Sequence, residues 1–124
     1  MMHGPTFMAN PLACAVALKS TQMLIASDWE KRIKHIEDLM RQYLAVANEW
    51  ECVANVRVLG GIGVVELKEN VNVGEFQKLC VREGVWIRPF GKNAYIMPPY
   101  MVVSDKQVEY LCNAMLKIIK ELYL

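Results

Sequence analysis

Clustered charge of one sign is missing from this sequence. Lys and Arg number 14 against 13 Asp and Glu, a net charge of +1, and the two signs interleave along the chain. Binding to a phosphate backbone needs clustered Lys and Arg, so no nucleic-acid partner is expected. Long apolar runs are missing as well. The longest uncharged stretches, Met1 to Leu18 and Asn93 to Ser104, are broken by proline, glycine or polar residues and fall short of the ~20 apolar residues that span a bilayer. No basic segment leads into an apolar one near the start, so neither a signal peptide nor a membrane partner is expected.

Histidine is sparse, with two residues, and the four cysteines are scattered. Cys14, Cys52, Cys80 and Cys112 have neither the close spacing of a zinc site nor a CxxC redox pair. They are expected to be reduced, with Cys14, Cys80 and Cys112 on the apolar sides of helices as small hydrophobes. A cytoplasmic location follows from that reading. His3 falls in a loop and His35 between charged neighbours on a helix, and neither reads as a catalytic base. No repeat, low-complexity tract or linker divides the chain.

What is present suffices for one domain. A chain of 124 residues can hide roughly two-thirds of the surface its unfolded form exposes. With 54% hydrophobic and 22% charged residues it lies on the apolar side of soluble domains, so some of its apolar surface is expected against a partner.

Asn10-Pro11 predicts a helix start, Asn as cap and Pro as first helical residue. The next residues, Leu12 to Leu18, are all apolar, so those turns should be buried nearly all round and would be poorly covered alone. A capping box at Ser27 to Glu30 predicts a second helix with Ile33, Ile36, Leu39, Met40, Tyr43, Leu44 and Ala47 inward, running to about Trp50. β-Formers broken by Gly60-Gly61 and Gly63 predict strands at Val56 to Leu59 and Ile62 to Leu67. Asn72 and Glu75 open a short helix with Phe76, Leu79 and Cys80 inward, capped by Gly84. Strands at Val85 to Ile87 and Ala94 to Met97 flank a turn from Arg88 to Asn93. Ser104 with Gln107 opens a last helix burying Val108, Leu111, Cys112, Met115, Ile118, Ile119 and Leu122. The order α, α, β, β, α, β, β, α implies an α+β fold, a small antiparallel sheet covered by helices.

Two stretches carry chemistry. In His3-Gly4-Pro5-Thr6, Gly4 lets the backbone approach a ligand, Pro5 stiffens it, and the Thr6 hydroxyl and N–H can donate to an anion such as phosphate. A frayed leader ahead of a helix explains the same residues. Arg88, where a strand meets Pro89-Phe90-Gly91, can offer a bidentate fork to a carboxylate. A surface arginine is the plain alternative. Trp86, Phe90 and Tyr100 either line an apolar channel for a long aliphatic acid or belong to the core.

The run from His3 through Asn10-Pro11 to Ala13 resembles the substrate-domain entry of class III pyridoxal-phosphate-dependent aminotransferases, in particular the biotin-pathway diaminopelargonic acid synthase type. The likeness resumes at Asp28-Trp29, at Val56 to Gly60 and Ile62 to Glu66, and most densely at Gly84 to Lys92 and Tyr95 to Tyr100. It covers essentially the whole chain. The resemblance implies the C-terminal small domain of a fold-type I enzyme, with residues 1–26 as phosphate-contact turn and interdomain helix and 27–124 as substrate domain. It implies that Gly4, Pro5 and Thr6 reach the pyridoxal phosphate of a neighbouring subunit in a homodimer. It further implies that Arg88 binds the carboxylate of 7-keto-8-aminopelargonate, with Tyr95 at the same pocket, and that S-adenosylmethionine is the amino donor. Met2 matches the position before His3, which makes Met1 an added or alternative start.

Transamination needs a lysine that holds the cofactor and moves a proton, and a carboxylate that keeps the pyridinium nitrogen protonated. In the family both lie upstream of this segment. The lysines here fall on helix surfaces or in turns, and Asp28, Asp38 and Asp105 at helix starts or on a polar face, so the chain alone is expected to be inactive and to self-associate through its apolar first helix. Two other readings stand beside this one: a class III enzyme of the ornithine or γ-aminobutyrate type, and a non-catalytic α+β module for a small acid or a protein partner.

Overall fold

The computed structural model describes residues 8–124 and divides into two compact units, 1–30 and 31–124. The Gly4-Pro5-Thr6 turn and His3 lie outside the described residues. In the first unit α1 spans Pro11–Ile25, and the Asn10 side chain accepts from the Ala13 N–H at 3.1 Å, the expected cap. It buries none of its residues, and Cys14, expected to pack as a small hydrophobe, is exposed. The Ser27 hydroxyl donates to the Leu24 carbonyl at 2.7 Å. It closes the end of α1 rather than opening the next helix, which corrects its expected role in a capping box.

Helix α2 runs Trp29–Leu44 and tightens into a 3-10 turn, Ala45–Glu49, so the expected single helix to Trp50 ends in a narrower coil. Strands β1 (Val53–Leu59) and β2 (Ile62–Leu67) follow, then α3 (Val73–Arg82), β3 (Arg88–Phe90), β4 (Asn93–Ile96) and α4 (Asp105–Tyr123). The α+β order matches the sequence reading. β1 starts three residues earlier than expected, because the ladder continues to Val53 opposite Leu67 across a register shift that period alone does not show. The sheet is antiparallel throughout, in the order β1-β2-β4-β3.

A larger correction concerns residues 85–90. The strand expected at Val85 to Ile87 is a loop, and Arg88, expected in a turn, begins β3. The cause is the end of α3. Gly84 at φ +67° allows its N–H to bond Val81 O at 3.1 Å and the Val85 N–H to bond Cys80 O at 2.9 Å. This paired closure takes the Val85 donor that a sheet ladder would need. The β3–β4 turn thereby shrinks to Gly91-Lys92, with Gly91 at φ +57°.

One face of the sheet meets the helices. Val58, Gly63, Val65, Leu67, Ala94 and Ile96 are buried there with Ile36, Met40 and Leu44 of α2, Phe76 and Cys80 of α3, and Val108, Cys112, Met115, Ile118 and Ile119 of α4. The stripes expected on α2, α3 and α4 are the ones packed. The other face carries two cross-strand rows. Arg57, Val64, Tyr95 and Arg88 form one, and Asn55, Glu66, Asn93 and Phe90 the next.

Candidate functional site

The candidate site is built where the edge of the sheet meets the start of α4. Arg88 on β3 lies directly opposite Tyr95 on β4, so period-2 alternation brings both side chains to the same face as close neighbours. The two residues singled out in the sequence thus come together. Both line a cleft of about 680 Å³, whose apolar wall includes Trp86, Met97 and Val102. Phe90, 78% exposed two positions along from Arg88, and Tyr100, packed beside Gly61, are not among its walls.

The condition of the arginines separates Arg88 from the rest. Arg32 binds Asp105 and the carbonyls of Tyr100 and Val103. Arg41 binds Glu37 and the Val58 carbonyl, and Arg82 binds Glu83 and Glu121. Arg57, in the same cross-strand row as Arg88, is spent on Glu66 and Asn93. The Arg88 side chain is exposed and has no hydrogen bond or ion pair among the described residues. A guanidinium left with all its donors free beside an apolar cleft suits an anion with a carbon chain, and its planar fork suits a carboxylate.

Charge on α2 ties down the segment between β4 and α4, which includes the cleft residue Val103, whose carbonyl accepts from Arg32. Arg32 donates through Nε to Tyr100 O at 3.3 Å and through Nη1 to Asp105 Oδ1 at 3.1 Å, while Nε2 of His35 lies 2.8 Å from the other Asp105 oxygen. These contacts hold Asp105 below its ordinary pKa, the His35 hydrogen bond contributing most and Arg32 next. His35 thus partners Asp105 from the surface of α2. Gln107 and Tyr110 of α4 also line the cleft. Sequence reasoning missed Tyr110, since it lies on the solvent side of the helical period. No local pattern marks it, because its place depends on how α3 packs on α4.

No cofactor site is complete among the described residues. Every lysine from Lys19 to Lys120 is exposed, and no polar or charged residue is buried. A lysine poised to hold a carbonyl cofactor is usually desolvated, and none here is. The described residues therefore do not fit the pyridine end of such a group, and residues 4–6, expected from the sequence to contact a phosphate, lie outside them. No group of His, Cys, Asp or Glu among the described residues is arranged to hold a metal ion, and no helix of theirs is long and apolar enough to cross a membrane.

The family model of Aminotransferase class-III matches residues 1–119. The chain belongs to this family. Among relatives of the class III family, the adenosylmethionine-8-amino-7-oxononanoate aminotransferase of Corynebacterium glutamicum is 47% identical over 120 residues, covering 97% of this chain and 28% of the relative. The enzyme of the same name from Buchnera aphidicola subsp. Schizaphis graminum is 50% identical over 116 residues, covering 94% and 27%. The crystal structure of the Methanocaldococcus jannaschii enzyme of that name superposes with a TM-score of 0.80 at 27% identity, over 100% of this chain and 31% of that one. An (S)-enantioselective omega-transaminase from Thermomicrobium roseum reaches 0.86 at 23% identity, over 100% and 30%, which shows a shared fold. The chain spans less than a third of the length of these relatives.

Proposed function

We propose that this chain is the substrate-carboxylate domain of a pyridoxal-phosphate-dependent aminotransferase that moves an amino group from S-adenosylmethionine to 7-keto-8-aminopelargonate, a step of biotin synthesis. The observation that carries the site is the unpartnered Arg88 directly across from Tyr95 at an apolar-walled cleft. The reaction is supported by the names of the relatives at 47% and 50% identity.

In this reading Arg88 binds the acid end of the keto substrate and Tyr95 lies beside it in the pocket. Gly4, Pro5 and Thr6 contact the cofactor phosphate across a homodimer interface, so residues 1–26 belong to that contact and 27–124 to the substrate domain. Pyridoxal phosphate supplies the electron sink for amino transfer, and the lysine that holds it comes from outside this chain, which alone is inactive. The exposed apolar side chains of α1, among them Leu12, Val16 and Leu18, favour self-association when nothing covers them. The enzyme is cytoplasmic.

Turnover tests the reading. The full-length enzyme should convert 7-keto-8-aminopelargonate with S-adenosylmethionine as donor and should not use ornithine or γ-aminobutyrate comparably. This chain alone, mixed with pyridoxal phosphate, should show no turnover and no absorbance band that one lysine substitution removes. Preference for ornithine or γ-aminobutyrate, or activity of the isolated chain, would overturn it.

A further inference from the structure

β3 is a weak support for the residue it carries. It has three residues, lies at the edge of the sheet, and has Pro89, which lacks an N–H, at its centre. A ladder that short fixes Arg88 poorly from its own side. The residues just before it have no ladder either, since Val85 to Ile87 are a loop.

What anchors that loop comes from α3 and α4. The Gly84 and Val85 N–H groups bond back into α3. Ile87 is 1% exposed, and its carbonyl accepts from Cys80 Sγ at 3.8 Å. The Glu83 carbonyl, at the exit of α3, is tied to α4. It accepts from the Tyr110 hydroxyl at 2.6 Å, across 27 residues of sequence. Tyr110 also lines the cleft, as do Gly84, Val85, Trp86 and Arg88. A second tie joins the same residue to α4, because Lys117 Nζ lies 2.8 Å from Glu83 Oε2. That tie runs through an exposed lysine and a side-chain carboxylate rather than the backbone, where ion pairs contribute little.

We propose that Tyr110 is a positioning residue for Arg88: its hydroxyl fixes the Glu83 carbonyl, and so the start of the loop that sets where the Arg88 guanidinium meets the substrate carboxylate. The proposal rests on the carboxylate reading of Arg88. Tyr110 touches no reacting atom in this account. It acts through the backbone, and its loss should weaken recognition of the acid without slowing the chemistry once the acid is bound.

The test is a double-mutant cycle in the full-length enzyme with Tyr110→Phe, Arg88→Lys and both together, measuring KM and kcat for the keto acid and the rate of the amino-donor half-reaction. Removing one net neutral hydrogen bond should raise KM for the keto acid about 2- to 12-fold. The kcat and the donor half-reaction should change by no more than about twofold, the low end of the effect of such a bond. In the Arg88→Lys background the same change should do almost nothing, because residues acting as one unit are non-additive. Lys117→Met should leave KM unchanged.

If Arg88→Lys leaves KM for the keto acid untouched, the carboxylate reading fails and the positioning role with it. If Arg88→Lys raises KM but Tyr110→Phe has no effect, or multiplies KM by the same factor with arginine or lysine at position 88, Tyr110 does not act through Arg88. A rise in Lys117→Met equal to that in Tyr110→Phe would assign the effect to a loosened α3–α4 seam and would also overturn the proposal.

Discussion

At the scale of single residues, the structure separates groups by whether their bonding is already satisfied. Asp105 is the clearest satisfied case. Standing in the first turn of α4, where a negative charge is favoured, it also holds Arg32 at 3.1 Å and His35 at 2.8 Å on α2. Its pKa is lowered, chiefly by the His35 hydrogen bond and then by Arg32. A carboxyl whose folded pKa is depressed adds stability that is fully present above its unfolded pKa and is lost as pH falls through the folded value. Asp105→Asn should therefore lower the urea midpoint at neutral pH, and the gap to the unchanged protein should close on acidification through the carboxylate range. A gap that stays constant down to the acid end of that range would mean Asp105 contributes through its shape and packing and not through its charge. The sequence placed Asp105 at a helix start and His35 on a helix surface, yet nothing in either local pattern disclosed that the two meet across 70 residues.

At the scale of elements, the sequence was read best where one segment decides its own structure. The Asn10 cap, the Asn72 cap and the reciprocal Ser104–Gln107 box are local bonds over three residues, and all form. The hydrophobic stripes of α2, α3 and α4 likewise need only the helical period. Residues 85–90 were misplaced because their conformation is set by the end of α3 and by pairing with β4, neither of which lies within the segment. Gly63 shows the same limit. The strand expected at Ile62 to Leu67 contains it, but the sequence does not show that it sits on the core face, where an added Cβ would come 2.9 Å from Leu44 Cδ1, 3.2 Å from Met40 Sδ and 3.3 Å from Ile96 Cγ1. Leu44 and Met40 are fully buried and have little room to yield. Gly63→Val should destabilise the protein by about 1–3 kcal/mol, the usual cost of overpacking, although valine is the better strand former. Chemical denaturation would show this, and a stabilised variant would mean that the α2–β2 contact is looser than the packing here requires.

At the scale of the whole molecule, family membership was legible in the dense runs from Gly84 to Lys92 and from Tyr95 to Tyr100, and the pairing of Arg88 with Tyr95 gives those runs a physical sense. They are the two strands that carry the cleft's arginine and its tyrosine neighbour. Other parts of the site were not legible. That Arg57, one row-mate along the same face, is consumed by Glu66 while Arg88 is left free depends on strand register, and that Tyr110 reaches the Glu83 carbonyl depends on how α3 packs on α4. The central claim is that Arg88 serves the acid of the keto substrate. Its most direct test is single-turnover measurement of the two half-reactions, separately, in the full-length enzyme carrying Arg88→Lys, which keeps the charge and loses the planar fork. The half-reaction with the keto acid should weaken by about 1.5–3 kcal/mol, the range for a hydrogen bond to a charged group, and the half-reaction with the amino donor should change far less. Equal losses in both, or no loss in either, would make Arg88 a structural residue and contradict the account.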